Sequence, residues 1–499
     1  MENIILKDII EEASDKIIRY QSYHNTLELA HKRNSRRISN APAKVVETPE
    51  EWADNRLHNP FYVMKRKEQI SKSIARKILD GSYKPNPPYL KSIKKKGGGK
   101  REISVYQIPD AAVSDRFYKN LLAKNRHRFS SLSYAYRNDR NVHFAIQDIA
   151  LELSSSSRLY IAEFDFSNFF GSINHGHLFK QLEENSFLVS PLERSIIEAF
   201  LEPFNGIGIP QGTSISLFLA NLACWNLDRA FENEGIRFAR YADDTIVWTR
   251  DYTKIGKSFD IISRFSKETG IALNLKKSEG ISLLQSSSMP SELTSPKEFV
   301  EFLGYRISNK SVGIKLSSVN KIKNQISYII YRNLLQPLTA VKLKALLFPA
   351  NDLDKDYVTA ILQIRRYLYG NLTEVTLRKY LNGTYSKLSF KGIMSFYPLI
   401  NDEDQMIELD RWLLSTILNT LKKRKRLLLN TNPHFNTEQF PFNCHGKDLI
   451  RVSKKIKIYH KVGLVQLPSF LRIHKALKKG LIEEGIEKVM HPKSNYYYE

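Results

Sequence analysis

The sequence predicts an α+β domain set between helical segments, with an all-α region filling the last third of the chain. Three observations predict it. From residue 159 to about 307, short apolar β patterns alternate with stretches of helical periodicity. In the first ninety residues and after Ser308 the β signal is weak, and apolar residues recur at helical spacing. No internal repeat, low-complexity tract or long Gly/Ser linker interrupts the 499 residues, a length that allows roughly two to four domains.

The elements follow in order. Residues 3–23 and 60–79 read as helices, closed by the proline-rich break Tyr83-Lys-Pro-Asn-Pro-Pro-Tyr89. A basic, glycine-studded hairpin comes next, Lys94-Lys-Lys-Gly-Gly-Gly-Lys-Arg101. The α+β stretch follows, and beyond it helical periodicity dominates in 320–335, 355–368 and 405–429. The expected divisions are 1–90, an N-terminal helical extension; 91–310, the α+β domain; and 311–499, a separate helical region. That last region carries two basic clusters, Lys422-Lys-Arg-Lys-Arg426 and Lys454, Lys455, Lys457. Each reads equally well as a solvated helix face or as a binding surface.

Composition narrows the function. With 42% hydrophobic residues the chain is globular, and wholesale disorder is excluded. No apolar run approaches the ~18 residues of a membrane helix, and the opening Met1-Glu-Asn-Ile-Ile-Leu-Lys-Asp does not read as a signal or transit peptide. Cys224 and Cys444 cannot build a disulfide framework and lack zinc-site spacing. A reducing, cytosolic compartment is expected. Lys+Arg number 76 against 52 Asp+Glu, a formal charge of +24. A field of that sign attracts polyanions, nucleic acid foremost.

The chemistry concentrates in Ile236-Arg-Phe-Ala-Arg-Tyr-Ala-Asp-Asp-Thr-Ile-Val-Trp248. Two apolar arms meet at Ala242-Asp243-Asp244, a hairpin tip where side chains can point together. Adjacent carboxylates there repel, and a divalent cation relieves them; a bare Asp-Asp pair alone would read as a polar turn. A second element weakens that plain reading. Tyr160-Ile-Ala-Glu-Phe-Asp165-Phe-Ser-Asn-Phe-Phe170 is an apolar strand ending on a carboxylate. Asp165 and Asp243, on two strands of one sheet, could hold two magnesium ions between them. Between these elements lies Gly206-Ile-Gly-Ile-Pro-Gln-Gly-Thr213, whose glycines permit close backbone approach and whose Gln211 supplies an amide. His175 and His177 resemble a metal pair but read better as local polar contacts.

In this order the motifs resemble those of the reverse transcriptases, over about residues 90–310. They continue as Leu273-Asn-Leu-Lys-Lys-Ser278 and Phe302-Leu-Gly-Tyr305. Leu217 departs from the pattern, standing where many relatives have proline after a serine. The resemblance implies a right-hand polymerase, with fingers and palm in 91–310 and 311–499 as a helical C-terminal domain in place of a conventional thumb. It implies Asp165, Asp243 and Asp244 as the metal-binding triad of a two-ion Mg²⁺ site, with Mn²⁺ as a substitute. Phe170 would be the gate that favours dNTPs over NTPs, and Gln211 would pack near the template. Lys277 would protonate the leaving pyrophosphate. Arg101, with Lys95 or Lys100 beside it, would grip the triphosphate, and Arg137 in Ser133-Tyr-Ala-Tyr-Arg137 would line the nucleotide path. Phe170 also fits a plain core aromatic, and Lys277 and Arg137 also fit solvated charges.

Within the family the architecture looks like the bacterial abortive-infection and defence-associated enzymes. That resemblance implies antiphage function in the bacterial cytoplasm, homo-oligomers, and DNA synthesis from dNTPs with a noncoding RNA partner, untemplated or homopolymeric in some members. Protein priming in some members points to Tyr496, Tyr497 and Tyr498 near the end of the chain. Two alternatives stand beside it: a retron-like or group II intron-like enzyme copying a longer RNA, and a catalytically silent RNA-binding scaffold.

Overall fold

A computed structural model describes residues 1–37, 41–94, 98–286, 288–291, 293, 296–339, 354–458 and 460–494. Tyr496, Tyr497, Tyr498 and Lys95 lie outside them. Helix α1, Glu2–Arg37, runs well past the expected residue 23. No proline or glycine interrupts it, and the pairs Lys7–Glu11, Lys16–Glu12 and Lys32–Glu28 sit one turn apart on its surface. Helix α2, Pro60–Leu79, begins where Asn59 accepts hydrogen bonds from the Phe61 and Tyr62 amides, with Pro60 in the first turn. Strands β1 (Tyr89–Lys94) and β2 (Lys100–Val105) pair antiparallel, with Ile93 opposite Arg101. Helices α3 (Ile108–Asn125) and α4 (Val142–Ser154) follow, the second capped by Asn141.

The central sheet is built around β3, Arg158–Phe164. After it come the short helix α5 (Phe169–Ser172), α6 (Ser214–Ala223) and α7 (Trp225–Asn233). The hairpin β4 (Arg237–Tyr241) and β5 (Asp244–Thr249) leads into α8 (Tyr252–Thr269) and β6 (Glu279–Gln285). With β7 (Pro296–Lys297) the sheet order is β4-β5-β3-β6-β7, and β3 pairs antiparallel with both β5 and β6. A second sheet joins β8 (Val300–Phe302), β9 (Tyr305–Ile307) and β10 (Val312–Ile314).

Strand alternation divides the interior into two cores. Ala162, Phe164 and Val247 pack on one side with Phe218 and Phe238, and that core takes in Ile5, Ile9 and Val63 from α1 and α2. Leu159, Ile161, Ile246 and Trp248 face the other side. There they share a core with the helical region: α9 (Leu316–Leu334), α10 (Lys355–Tyr369), α11 (Glu403–Thr431) and α13 (Phe470–Glu484), with α12 (Lys447–Lys455) between the last two in sequence. The three C-terminal helices read from periodicity fall on α9, α10 and α11. The described residues of the last third nevertheless share their interior with the sheet, and β10, beyond residue 310, pairs with β9.

Long-range polar ties fix this packing. Arg424, at the centre of the first basic cluster, is fully buried on Asp354 at 2.7 Å and the Leu334 carbonyl at 2.6 Å. It therefore belongs to the interior, unlike its lysine neighbours. Arg36 at the end of α1 reaches Asp356 at 2.6 Å. His143 on α4 contacts the Ser494 hydroxyl at 3.1 Å and the Tyr305 hydroxyl at 3.0 Å. Burial pushes that imidazole down to about 3, so it is neutral. Among the described residues no helix is long and apolar enough to cross a membrane.

Candidate active site

Three carboxylates meet at one end of the central sheet because of strand register. Phe164 of β3 lies opposite Thr245 of β5, so one step further Asp165 comes level with Asp244. Tyr241 pairs with Asp244 across the hairpin, leaving Ala242-Asp243 as a two-residue loop. Ala242 sits at φ +60°, a left-handed conformation that costs an alanine roughly 1–2 kcal/mol. Substituting Ala242→Gly should relieve that strain and raise stability by about 0.5–1 kcal/mol, read as a later denaturant midpoint.

Asp165 is the most constrained of the three and only 8% exposed. Its carboxylate accepts from the Asn274 amide at 2.9 Å and pairs with the Lys277 ammonium at 3.0 Å. Its backbone N–H donates to the Ser278 hydroxyl at 3.1 Å, and its carbonyl accepts from the Asn274 N–H at 2.8 Å. The turn from 274 to 278 thus wraps the end of β3. The hydrogen bond to Asp165 raises the Lys277 pKa and keeps the ammonium charged.

The electrostatics of the cluster follow from carboxylates crowded at one sheet end. Burial raises the Asp243 pKa, with Asp165 adding to the effect and Arg101 and Lys277 opposing it. Enclosure in the cleft, then repulsion from Asp243 and Asp165, pushes Asp244 up to about 7, although the residue keeps an exposed edge. Hard carboxylate oxygens under mutual repulsion suit a divalent cation with oxygen preference. Among the described residues no group of three or more His, Cys, Asp or Glu side chains is placed to hold a metal ion, the three carboxylates included. Lys277 occupies one side of Asp165 instead.

The other expected residues fall at different distances from this cluster. Arg101, half-exposed on β2, acts electrostatically on Asp243, while Lys100 beside it is exposed. The Gln211 carbonyl accepts from the Ser104 N–H of β2 at 2.7 Å, tying the loop to the fingers hairpin. Gly212 is required there: it sits at φ +113°, and a Cβ would stand 2.7 Å from Ile103. Phe170 is half-buried, its ring 6.5 Å from Tyr136 and 5.7 Å from Phe169. Arg137 corrects the expected nucleotide contact. Its guanidinium is buried on Asp139 at 2.7 Å and on the Ser130 carbonyl at 2.6 Å, because a polar loop needs an internal donor. His175 and His177 contact the Gly208 and Ala223 carbonyls, as local polar contacts do.

Comparison with known proteins now bears on this site. Residues 93–307, which contain all three carboxylates, match the family model described as reverse transcriptase (RNA-dependent DNA polymerase). The chain carries a reverse transcriptase domain. It is 26% identical to Protein YkfC of Escherichia coli (strain K12) over 162 residues, 30% of this chain and 42% of that one. It is 25% identical to the retron Ec86 reverse transcriptase of Escherichia coli over 247 residues, 48% of this chain and 68% of the relative. The chain thus spans less than half of the first relative and about two thirds of the second. A solved telomerase from Candida tropicalis, in complex with a TWJ fragment of telomeric RNA, aligns over 74% of this chain and 68% of that one. Its TM-score is 0.38 at 15% identity.

One residue of the reverse transcriptase domain is missing from the expected site residues. Arg240, on β4, is completely buried. It holds Asp228 of α7 through two hydrogen bonds at 2.7 and 2.6 Å, and reaches the Asn221 amide oxygen, the Ser133 hydroxyl and the Ala242 carbonyl. Burial works against its charge, and the Asp228 carboxylate outweighs it, holding the guanidinium pKa above its ordinary value. Arg240 is a positioning residue: it clamps the strained Ala242 turn that presents Asp243. The signal was a lone cation inside the apolar arm Phe238-Ala-Arg-Tyr241, which demands a buried partner.

Proposed function

We propose that the chain is a magnesium-dependent RNA-directed DNA polymerase acting in bacterial antiphage defence, with manganese as a substitute ion. The supporting observation is the placement of Asp165, Asp243 and Asp244 at one sheet end within the matched domain. Those carboxylates would hold two cations, which when bound stabilise charge on the reacting phosphate. A primer hydroxyl, giving up its proton to water, attacks the α-phosphorus of a dNTP, and the bond to pyrophosphate breaks as the new P–O bond forms. Lys277, kept charged by Asp165, gives its proton to the leaving oxygen. Arg101 and Lys100 hold the triphosphate, and Gln211 orders the template side. The defence role rests on the resemblance in architecture, as do the noncoding RNA partner, the homo-oligomer and a cytoplasmic setting.

Phe170 would exclude the ribose 2′-hydroxyl. Phe170→Ala should raise the ratio of rNTP to dNTP incorporation by about tenfold or more. An unchanged ratio with activity preserved would reduce the ring to packing.

Tyr496, Tyr497 and Tyr498 remain the proposed acceptors for a first nucleotide. The last described residue, Ser494, is buried against His143, and an extended chain reaches about 3.5 Å per residue from there. The deciding experiment supplies labelled dNTPs and Mg²⁺ to the protein as purified and sequences the DNA made and the RNA bound. Label that survives denaturation and is released by protease supports protein priming. A DNA copy of one long RNA would favour the retron-like reading, which the match to the retron Ec86 enzyme supports. No incorporation under any cation condition would leave the silent scaffold.

A further inference from the structure

Helix α12 and the hairpin after it, β11 (Lys457–Ile458) paired with β12 (Lys461–Val462), form an exposed cationic face. Residues 447–462 hold six Lys and Arg against one Asp. Lys447, Arg451, Lys454 and Lys455 recur at helical spacing and are all exposed, as are Lys457 and Lys461. Only Arg451 is engaged, with Asp448 at 2.8 Å; the five lysines form no ion pair among the described residues. The opposite side of α12 is spoken for. Leu449 and Ser453 are buried, and Ile450, Val452 and Ile456 pack onto the second core.

We propose that this face binds the phosphate backbone of an RNA partner, outside the polymerase domain. The proposal rests on the RNA-dependent reading above and assigns that RNA a docking surface. Three features select this occupant. A helix that lies in a membrane surface must offer its apolar side to lipid, and the apolar side of α12 is already buried. The helix contains no aromatic residue for base stacking, so its own contacts run through charge and tolerate sequence. Cations at 447, 451 and 454–455 climb the axis in steps of about 5–6 Å, presenting a row and not a point. Lysines with no ion pair among the described residues give up no partner on engaging phosphates, and release of the RNA's counterions supplies the driving force.

The test compares two full-length variants with wild type. One carries Lys447→Gln, Lys454→Gln, Lys455→Gln and Lys461→Gln; the control carries Lys65→Gln, Lys72→Gln, Arg76→Gln and Lys77→Gln on α2. Affinity for a labelled RNA stem-loop is measured across a salt series, and extension of a short primed RNA template is measured in parallel. The first variant should bind at least about 100-fold more weakly at low salt, with the slope of log affinity against log salt smaller by about 3. The control should keep the wild-type slope, and both variants should extend the primed template as wild type does. An unchanged slope, or an equal loss in the control, overturns the proposal. So does a loss seen for duplex DNA or phosphatidylserine vesicles but not for RNA. Failure of wild type to extend the template would defeat the polymerase reading while leaving the RNA slopes to decide this one.

Discussion

Asp243→Ala should abolish dNTP incorporation, lowering it by roughly 10³-fold or more, while the protein stays folded. The carboxylate stands on a two-residue turn held by Arg240, so its removal deletes a charge at the reacting phosphate without opening the core. Loss of one group that stabilises transition-state charge in a site shielded from water costs about 10²–10³ on its own. A cation site that also loses an oxygen donor falls further. Asp165→Ala should match it and also free Lys277. Retained incorporation in both would end the two-cation mechanism. Asp244 supplies an internal control through pH. Its folded pKa of about 7 lies above the ordinary 3.8, so the folded state holds the proton longer than the unfolded chain does. Without cations, its contribution to stability is therefore greatest below about pH 4 and is lost as pH rises through 7. In chelator at pH 8, Asp244→Asn should melt later than wild type, with the gap closing toward pH 4, yet it should be inactive. Thermal melts beside incorporation assays separate the two effects.

The site was legible in the sequence wherever its chemistry is local. A carboxylate closing an apolar strand, and two more at a hairpin tip, carry their placement in their own neighbourhoods. Asp165 and Asp244 come together because β3 and β5 have the register that those apolar arms require. Helices 60–79 and 355–368 were equally visible, since Asn59 and Asp354 mark their starts. What could not be read is what depends on distant partners. Arg137 looks like a ligand contact until Asp139 and the Ser130 carbonyl close around it. Arg424 looks like a member of a basic surface cluster until Asp354, 70 residues earlier, takes it inside. The division at 310 likewise ignores an interior shared by Trp248 and Ile326, because composition shifts where helices begin and not where a core ends.

Breaking the Arg240–Asp228 pair should give the largest loss of stability of any single change in the domain. Both side chains are at most 2% exposed, and every nitrogen of the guanidinium has a partner. Asp228→Ala would leave an unpaired cation in the interior, and Arg240→Met an unpaired carboxylate. Each should cost about 3–5 kcal/mol, a large share of the roughly 5–15 kcal/mol that holds a typical protein together. The double variant Asp228→Leu/Arg240→Met separates stability from positioning. Removing both charges abolishes the desolvation penalty along with the attraction, so most of the lost stability should return. Activity should not. The methionine cannot donate to the Ala242 carbonyl at 3.1 Å or to the Ser133 hydroxyl at 2.7 Å, so the turn presenting Asp243 loses its clamp. Denaturant unfolding should thus place the double variant near wild type, while dNTP incorporation stays as low as in the single variants. If incorporation recovers with stability, Arg240 only fills the interior, and the strained turn holds Asp243 without it.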